Sequence, residues 1–209
     1  MPFENVVYKK TAMNRAALGF RVHSGWTAVV AVAGPADSPV ALDRRRIQLV
    51  KTFTYTFRQP YHTAEKMPRR DAAEFINAVR AESRSLAASG IRAAQRELEN
   101  LKYRVTGCAL LLSSARELPE LGKILCSHAL IHTADGELFR DAIRHACAKG
   151  KLSVVAIRER ELFEVASKSL RLPPAVLKKR LAPLGKSLGP PWSQDEKLAA
   201  LAAWRTLAG

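Results

Sequence analysis

The sequence predicts an α/β chain, and three observations carry that expectation. Strand-type runs crowd residues 18–50, a helical period fills residues 71–101, and two almost wholly apolar strands, 105–112 and 152–157, bracket a second helix. The first strands are expected at Phe20-Arg21-Val22, at Trp26 to Val32 and at Val40 to Val50. Ser24-Gly25 and Gly34-Pro35 separate them, and both pairs are turn-forming. Phe53, Tyr55 and Phe57 then alternate with Thr52, Thr54 and Thr56, the period of a half-buried edge strand, until Pro60 and Pro68 stop it. The same rings lie among Arg58, Lys66, Arg69 and Arg70, a composition that also suits base stacking beside phosphate contacts.

From Asp71 to Leu101 the apolar positions Phe75, Val79, Leu86, Ile91, Ala94, Leu98 and Leu101 recur mostly every three or four residues, with a kink expected at Ser89-Gly90. Tyr103 to Leu112 reads as a strand covered on both faces. Leu138, Phe139, Ala142, Ile143, Ala146 and Cys147 form one helical stripe that Asp135 is expected to N-cap and Lys149-Gly150 to end. Leu152 to Ile157 follows at once, so a βαβ unit is expected. In residues 161–184, Leu162, Ala166, Leu170, Val176 and Leu181 bracket a break at Leu172-Pro173-Pro174, giving two short helices. Ser193 with Glu196 forms a capping box that opens a last helix, docked through Leu198, Leu201, Ala202 and Trp204. The expected organisation is a basic arm at 1–17, an α/β core at 18–160 and a helical extension at 161–209.

Charge narrows the class of partner. The 209 residues carry a net +15, of which 1–70 hold +8, 71–150 hold +1 and 151–209 hold +6. Two basic flanks around a neutral centre suit a polyanion, because Lys and Arg release its condensed counterions. Nucleic acid is therefore the expected partner. At 47% hydrophobic residues the chain builds a core, which excludes wholesale disorder. Cys108, Cys126 and Cys147 are odd in number and lack C-x-x-C spacing. Together with the lack of an apolar leader in Met1 to Asn14 and of a long apolar run, they lead us to expect a cytoplasmic protein without a membrane span. No cofactor is expected.

The order strand-strand-strand-helix-strand-helix-strand over residues 18–170 resembles the ribonuclease-H-like fold, so the α/β chain is expected to hold a ribonuclease-H-like mixed sheet with flanking helices and a helical C-terminal extension. The resemblance implies carboxylates at strand ends holding two divalent metals, one acid from the first strand and one from the fourth. Here Gly19-Phe20-Arg21-Val22-His23-Ser24-Gly25-Trp26 places Arg21, His23 and Ser24 where the first acid belongs, and the fourth strand ends in Ser113-Ser114. The same plan recurs in the middle domain of the Pelota and release-factor group, which lacks a metal site. The opening just quoted and the stretch from Pro191 to Trp204 also resemble those of a bacterial protein family, a resemblance that implies no function.

The leading expectation is thus nucleic-acid binding without hydrolysis, directed at structured RNA or ribosome-associated work, with Arg44, Arg45, Arg46, Arg58, Lys178, Lys179 and Arg180 as phosphate contacts. One alternative is a metal-dependent nuclease or phosphoryl-transfer enzyme built on Asp43, Asp135 and Glu159. Another is a helix-turn-helix DNA regulator using residues 161–184, whose second helix carries Lys178-Lys179-Arg180. Ligands of open α/β sheets bind beyond the carboxyl ends of parallel strands, so His23, Ser24, Ser113, Ser114, His128 and Arg158 are expected to form one anion cradle. No metal site is expected. His128 and His132 are the nearest approach, at i, i+4 on what reads as a polar loop; Cys126 or Asp135 would add a ligand, but the rest of a zinc set is missing. Cys126 with a histidine as a nucleophilic pair lacks a third member, and Gly185-Lys186-Ser187 lacks the first glycine of a phosphate loop.

Overall fold

In the computed structural model, which describes residues 13–113 and 117–208, the chain is built on five strands in the order β3-β2-β1-β4-β5. β1 (Asn14–His23), β2 (Trp26–Ala33) and β3 (Val40–Gln48) run antiparallel, while β4 (Tyr103–Leu112) and β5 (Val154–Arg158) lie parallel to β1. The sheet is mixed, as expected. Residues 14–17, expected in the arm, already pair with β2 and β4, because Ala16 and Ala17 are fully buried. The rest of that arm, residues 1–12, lies outside the described residues.

Strand alternation divides the core in two. Leu18, Phe20 and Val22 of β1 and Cys108 and Leu110 of β4 face a layer formed by α3 (Arg69–Asn100) and α5 (His128–Lys149). Ala17, Ala109 and Leu111 face a second layer of α6 (Leu162–Leu170), α7 (Pro174–Leu184) and α8 (Gln194–Leu207). This two-sided burial explains why β4 reads as one apolar run. It also gives the helices of residues 161–209, expected as an extension, the job of covering one whole face of the sheet. α8 comes very close to β1: a Cβ on Gly19 would overlap the Ala199 carbonyl and lie 3.0 Å from the Ala203 nitrogen. Only glycine admits that approach.

Three local expectations are corrected. Residues 53–57 form no strand; α1 (Tyr55–Arg58) and α2 (Pro60–Ala64) occupy this stretch, with Pro60 at the first helical position of α2. α3 runs unbroken through Ser89-Gly90, and Gly90 serves instead to admit the side chain of Ile47 from β3. After the short α4 (Leu121–Leu125), α5 starts at His128, seven residues before the expected cap, because Ile131 and Ala134 extend its buried stripe towards the amino end. Asp135 is therefore an interior helical residue, and His128 and His132 stand on a helix, not in a loop. Two short helices do flank the 172–174 break, and Ser193 and Glu196 do form the capping box. Cys108 and Cys147 are buried and unbridged; the hydrogen bond between their thiols, with burial, pushes the Cys108 thiol well above its ordinary range, so Cys108 is an inert packing group. No described helix is long and apolar enough to cross a membrane.

Candidate functional site

Beyond the carboxyl ends of β1, β4 and β5 lies a cleft of about 550 Å³, lined by residues that include Arg21, His23, Ser113, Arg140, Glu159 and Arg160. The alternation of β1 creates it. Ala17 and Gly19 accept the small-residue face of α8; one and two pleats further on, where that helix begins, the same face carries Arg21 and His23. The Arg21 guanidinium donates through Nε to Glu159 Oε2 (2.9 Å), through Nη2 to Glu159 Oε1 (2.8 Å) and through Nη1 to Asp195. Glu159 follows β5 directly and Asp195 sits in the first turn of α8, where the helix dipole favours a negative charge. His23 Nε2 lies 3.0 Å from Asp195 Oδ1. The two hydrogen-bonded carboxylates, Glu159 foremost, raise the Arg21 pKa above its ordinary value, so the guanidinium is permanently charged. Arg140, nine-tenths buried, donates to Glu137 through Nη1 (3.0 Å), and its Nε has no partner among the described residues.

An aromatic and cationic ladder continues from the cleft along the hairpin turn. The His23 ring stacks on Trp26 (4.3 Å, 10°), Arg46 lies over Trp26 (3.9 Å) and Phe53 (5.2 Å), and Arg58 covers Phe53 (4.4 Å) while donating to the Ser24 carbonyl. On the other side of the cleft, Phe163 and Gln194 are shared with a hollow holding Lys178 and Lys197.

The residues singled out from sequence therefore separate. His23 and Ser113, two residues of the expected anion cradle, line the cleft. Arg158 is paired with Glu161 (3.0 Å), His128 packs against His132 and His62, and neither lines the cleft; Ser114 lies outside the described residues. Asp43, Asp135 and Glu159 do not gather. Asp43 holds Arg45 on the far edge strand, Asp135 holds α2, and Glu159 holds Arg21. Among the proposed phosphate contacts, Arg46, Arg58 and Lys178 border the cleft or its ladder, and Lys179 is exposed on α7. Arg44 donates to the carbonyls of Gly189, Pro190 and Pro191, Arg45 to Asp43 and Glu97, and Arg180 to the carbonyl of Asp37 in the β2–β3 turn, at the opposite end of the sheet. Arg21 was read only as a missing acid, and Asp195, Arg140 and Arg160 were missed; nothing in their spacing links them, since the fold alone joins β1 to the start of α8.

The chain is similar to the solved structure of Thermus thermophilus RuvC in complex with a Holliday junction substrate, at 8% identity, over 93% of each chain and with a TM-score of 0.50. The fold is ribonuclease-H-like. The Thermus thermophilus RuvC structure determined by itself is similar over 92% of this chain and 93% of that one, at 10% identity and a TM-score of 0.48. No protein-family model matches the sequence, and no curated protein does.

Proposed function

We propose that the chain binds structured nucleic acid across the strand-end cleft and does not hydrolyse it. The observation that carries this reading is Arg21. A hard divalent cation requires several oxygens at once, and Glu159 of the cleft and Asp195 beside it are both committed to one guanidinium that never loses its charge. The position thus holds a guanidinium instead of a metal, and the cations left open to a ligand are Arg160, which lines the cleft, and the nearby Lys178. Phosphates are the complementary ligand, and the His23–Trp26–Arg46–Phe53–Arg58 ladder offers π-faces on which an unpaired base can stack. The similar RuvC structure holds a Holliday junction substrate, which makes a four-way DNA junction one probe; an RNA hairpin is the other, in keeping with the lean towards RNA.

One observation favours a nuclease instead: two carboxylates, Glu159 and Asp195, converge on the Arg21 guanidinium at the strand ends. A helix-turn-helix role has less support, since Leu162, Ala166, Leu170, Leu177 and Leu181 are all spent on closing the sheet face. The deciding experiment measures anisotropy of labelled junction and hairpin at several salt concentrations, then incubates both with Mg²⁺ and with Mn²⁺. Binding whose logarithm falls linearly with log salt, without product, is the expected result. Metal-dependent cleavage that vanishes in Glu159→Gln would establish the nuclease; no binding to either probe at low salt would overturn both.

A further inference from the structure

On the opposite side of the sheet from α8, three imidazoles meet. His128 and His132 stand one turn apart at the start of α5, and His62 reaches them from α2. The ring centroids are 4.4 Å apart for His62–His132 and His128–His132 and 5.4 Å for His62–His128, all in edge contact, and one ligating nitrogen of each lies within 4.8 Å of the others. His128 Nε2 and His132 Nε2 are 3.0 Å apart. Two nitrogens bound tetrahedrally at zinc distance are about 3.3 Å apart, so the α5 pair is already at ligand spacing and His62 needs only a small approach.

The surroundings of His62 are what distinguish this cluster from three surface histidines. Its Nδ1 bonds the carboxylate of Asp135, a residue only 3% exposed that also accepts the Tyr61 backbone N–H (2.7 Å). A carboxylate on one ring nitrogen fixes the tautomer and turns the other lone pair outward, the usual arrangement behind a metal-bound histidine. We propose that His62, His128 and His132 form a binding site for a divalent transition-metal ion, zinc foremost, with Asp135 as the positioning residue behind His62. Neutral imidazoles suit zinc and its transition-metal neighbours, whereas Mg²⁺ and Ca²⁺ prefer carboxylate and water oxygens. Three protein ligands leave one tetrahedral position open, and it faces solvent, since His128 and His132 are exposed. The ion would clasp α2 to the start of α5. This site is separate from the strand-end cleft, which lies among β1, α6 and α8.

The test uses the untagged full chain, stripped of metal, titrated with Zn²⁺ against a chromophoric chelator and with Co²⁺ by visible absorption. The wild type is expected to take one equivalent that excess Mg²⁺ does not displace, with the intense Co²⁺ bands of low coordination number. His128→Gln and His132→Gln, both at exposed positions that leave the fold intact, should each bind at least about tenfold more weakly, and Asp135→Asn about 10- to 100-fold more weakly. His145→Gln, exposed on the same helix, should match the wild type. An equivalent that binds unchanged in the His128→Gln/His132→Gln double variant, or a folded wild type that takes up no Zn²⁺, would overturn the proposal.

Discussion

Replacing Arg21 by Met keeps the length of the side chain and removes the charge that Glu159 and Asp195 share. Exposed ion pairs contribute about 0.5 kcal/mol, whereas breaking a buried pair costs about 3–5 kcal/mol. The Arg21 and Asp195 side chains are each 21% exposed and Glu159 is 37% exposed, so the trio lies between these limits, and two carboxylates would be left facing each other. A loss of about 2 kcal/mol is expected, which for a chain of this size lowers Tm by about 4–8 °C. Thermal unfolding followed by circular dichroism would measure it for Arg21→Met, Glu159→Gln and the double variant. The double variant should lose less than the sum of the single ones, because Glu159→Gln already removes one of the charges that Arg21 neutralises. An Arg21→Met protein as stable as the wild type, with additive effects in the cycle, would show that the guanidinium does not hold this site together.

Other outcomes follow from the packing. Gly19→Ala should cost about 3 kcal/mol, since a methyl group there meets the Ala199 and Ala203 backbone; α8 must shift to admit it, and nucleic-acid affinity should fall with stability because Asp195 moves too. Denaturant unfolding together with anisotropy would check both; unaltered stability would contradict the close approach. The Tyr61 phenol is pushed above its ordinary value of 10.0, by burial first, against the hydrogen bond from Arg80. The folded state then keeps a proton that the unfolded state releases, so this group's stabilisation is complete below pH 10 and declines as pH rises through the higher folded value. The phenolate absorbance of the wild type, compared with that of Tyr61→Phe, should show one tyrosine titrating late; equal titration of all tyrosines would refute it.

How much of this was legible depends on whether a signal is local. The β4–α5–β5 unit was legible because two-sided burial leaves near-continuous apolar strands and a helical stripe between them. The stretch at 53–57 misled because its alternation comes from threonines, while Phe57 packs on Phe75 of α3 from α1, before Pro60 opens α2. Asp135 looked like a cap because aspartate commonly precedes a helix; Ile131, Ala134 and Leu138, all at helical spacing, carry the contrary signal. The absence of acids at the end of β1 was legible, but not the two acids that come from just after β5 and from α8 to meet Arg21, nor the meeting of His62 with His128 and His132. Those groups are distant in sequence and are joined only by tertiary packing.

The most direct test of the central claim asks which end of the sheet holds the polyanion. Arg160 lines the cleft and Lys178 lies over Phe163 beside it, whereas Arg104 and Arg180 belong to the amino end of β4 and to the neighbourhood of the β2–β3 turn. Arg160→Ala/Lys178→Ala and Arg104→Ala/Arg180→Ala remove the same net charge, so a purely global field predicts equal effects. The salt dependence of junction and hairpin anisotropy should lose about two units of slope in the first pair and almost none in the second. Equal losses in the two pairs, or a larger loss in the second, would contradict binding at the strand ends.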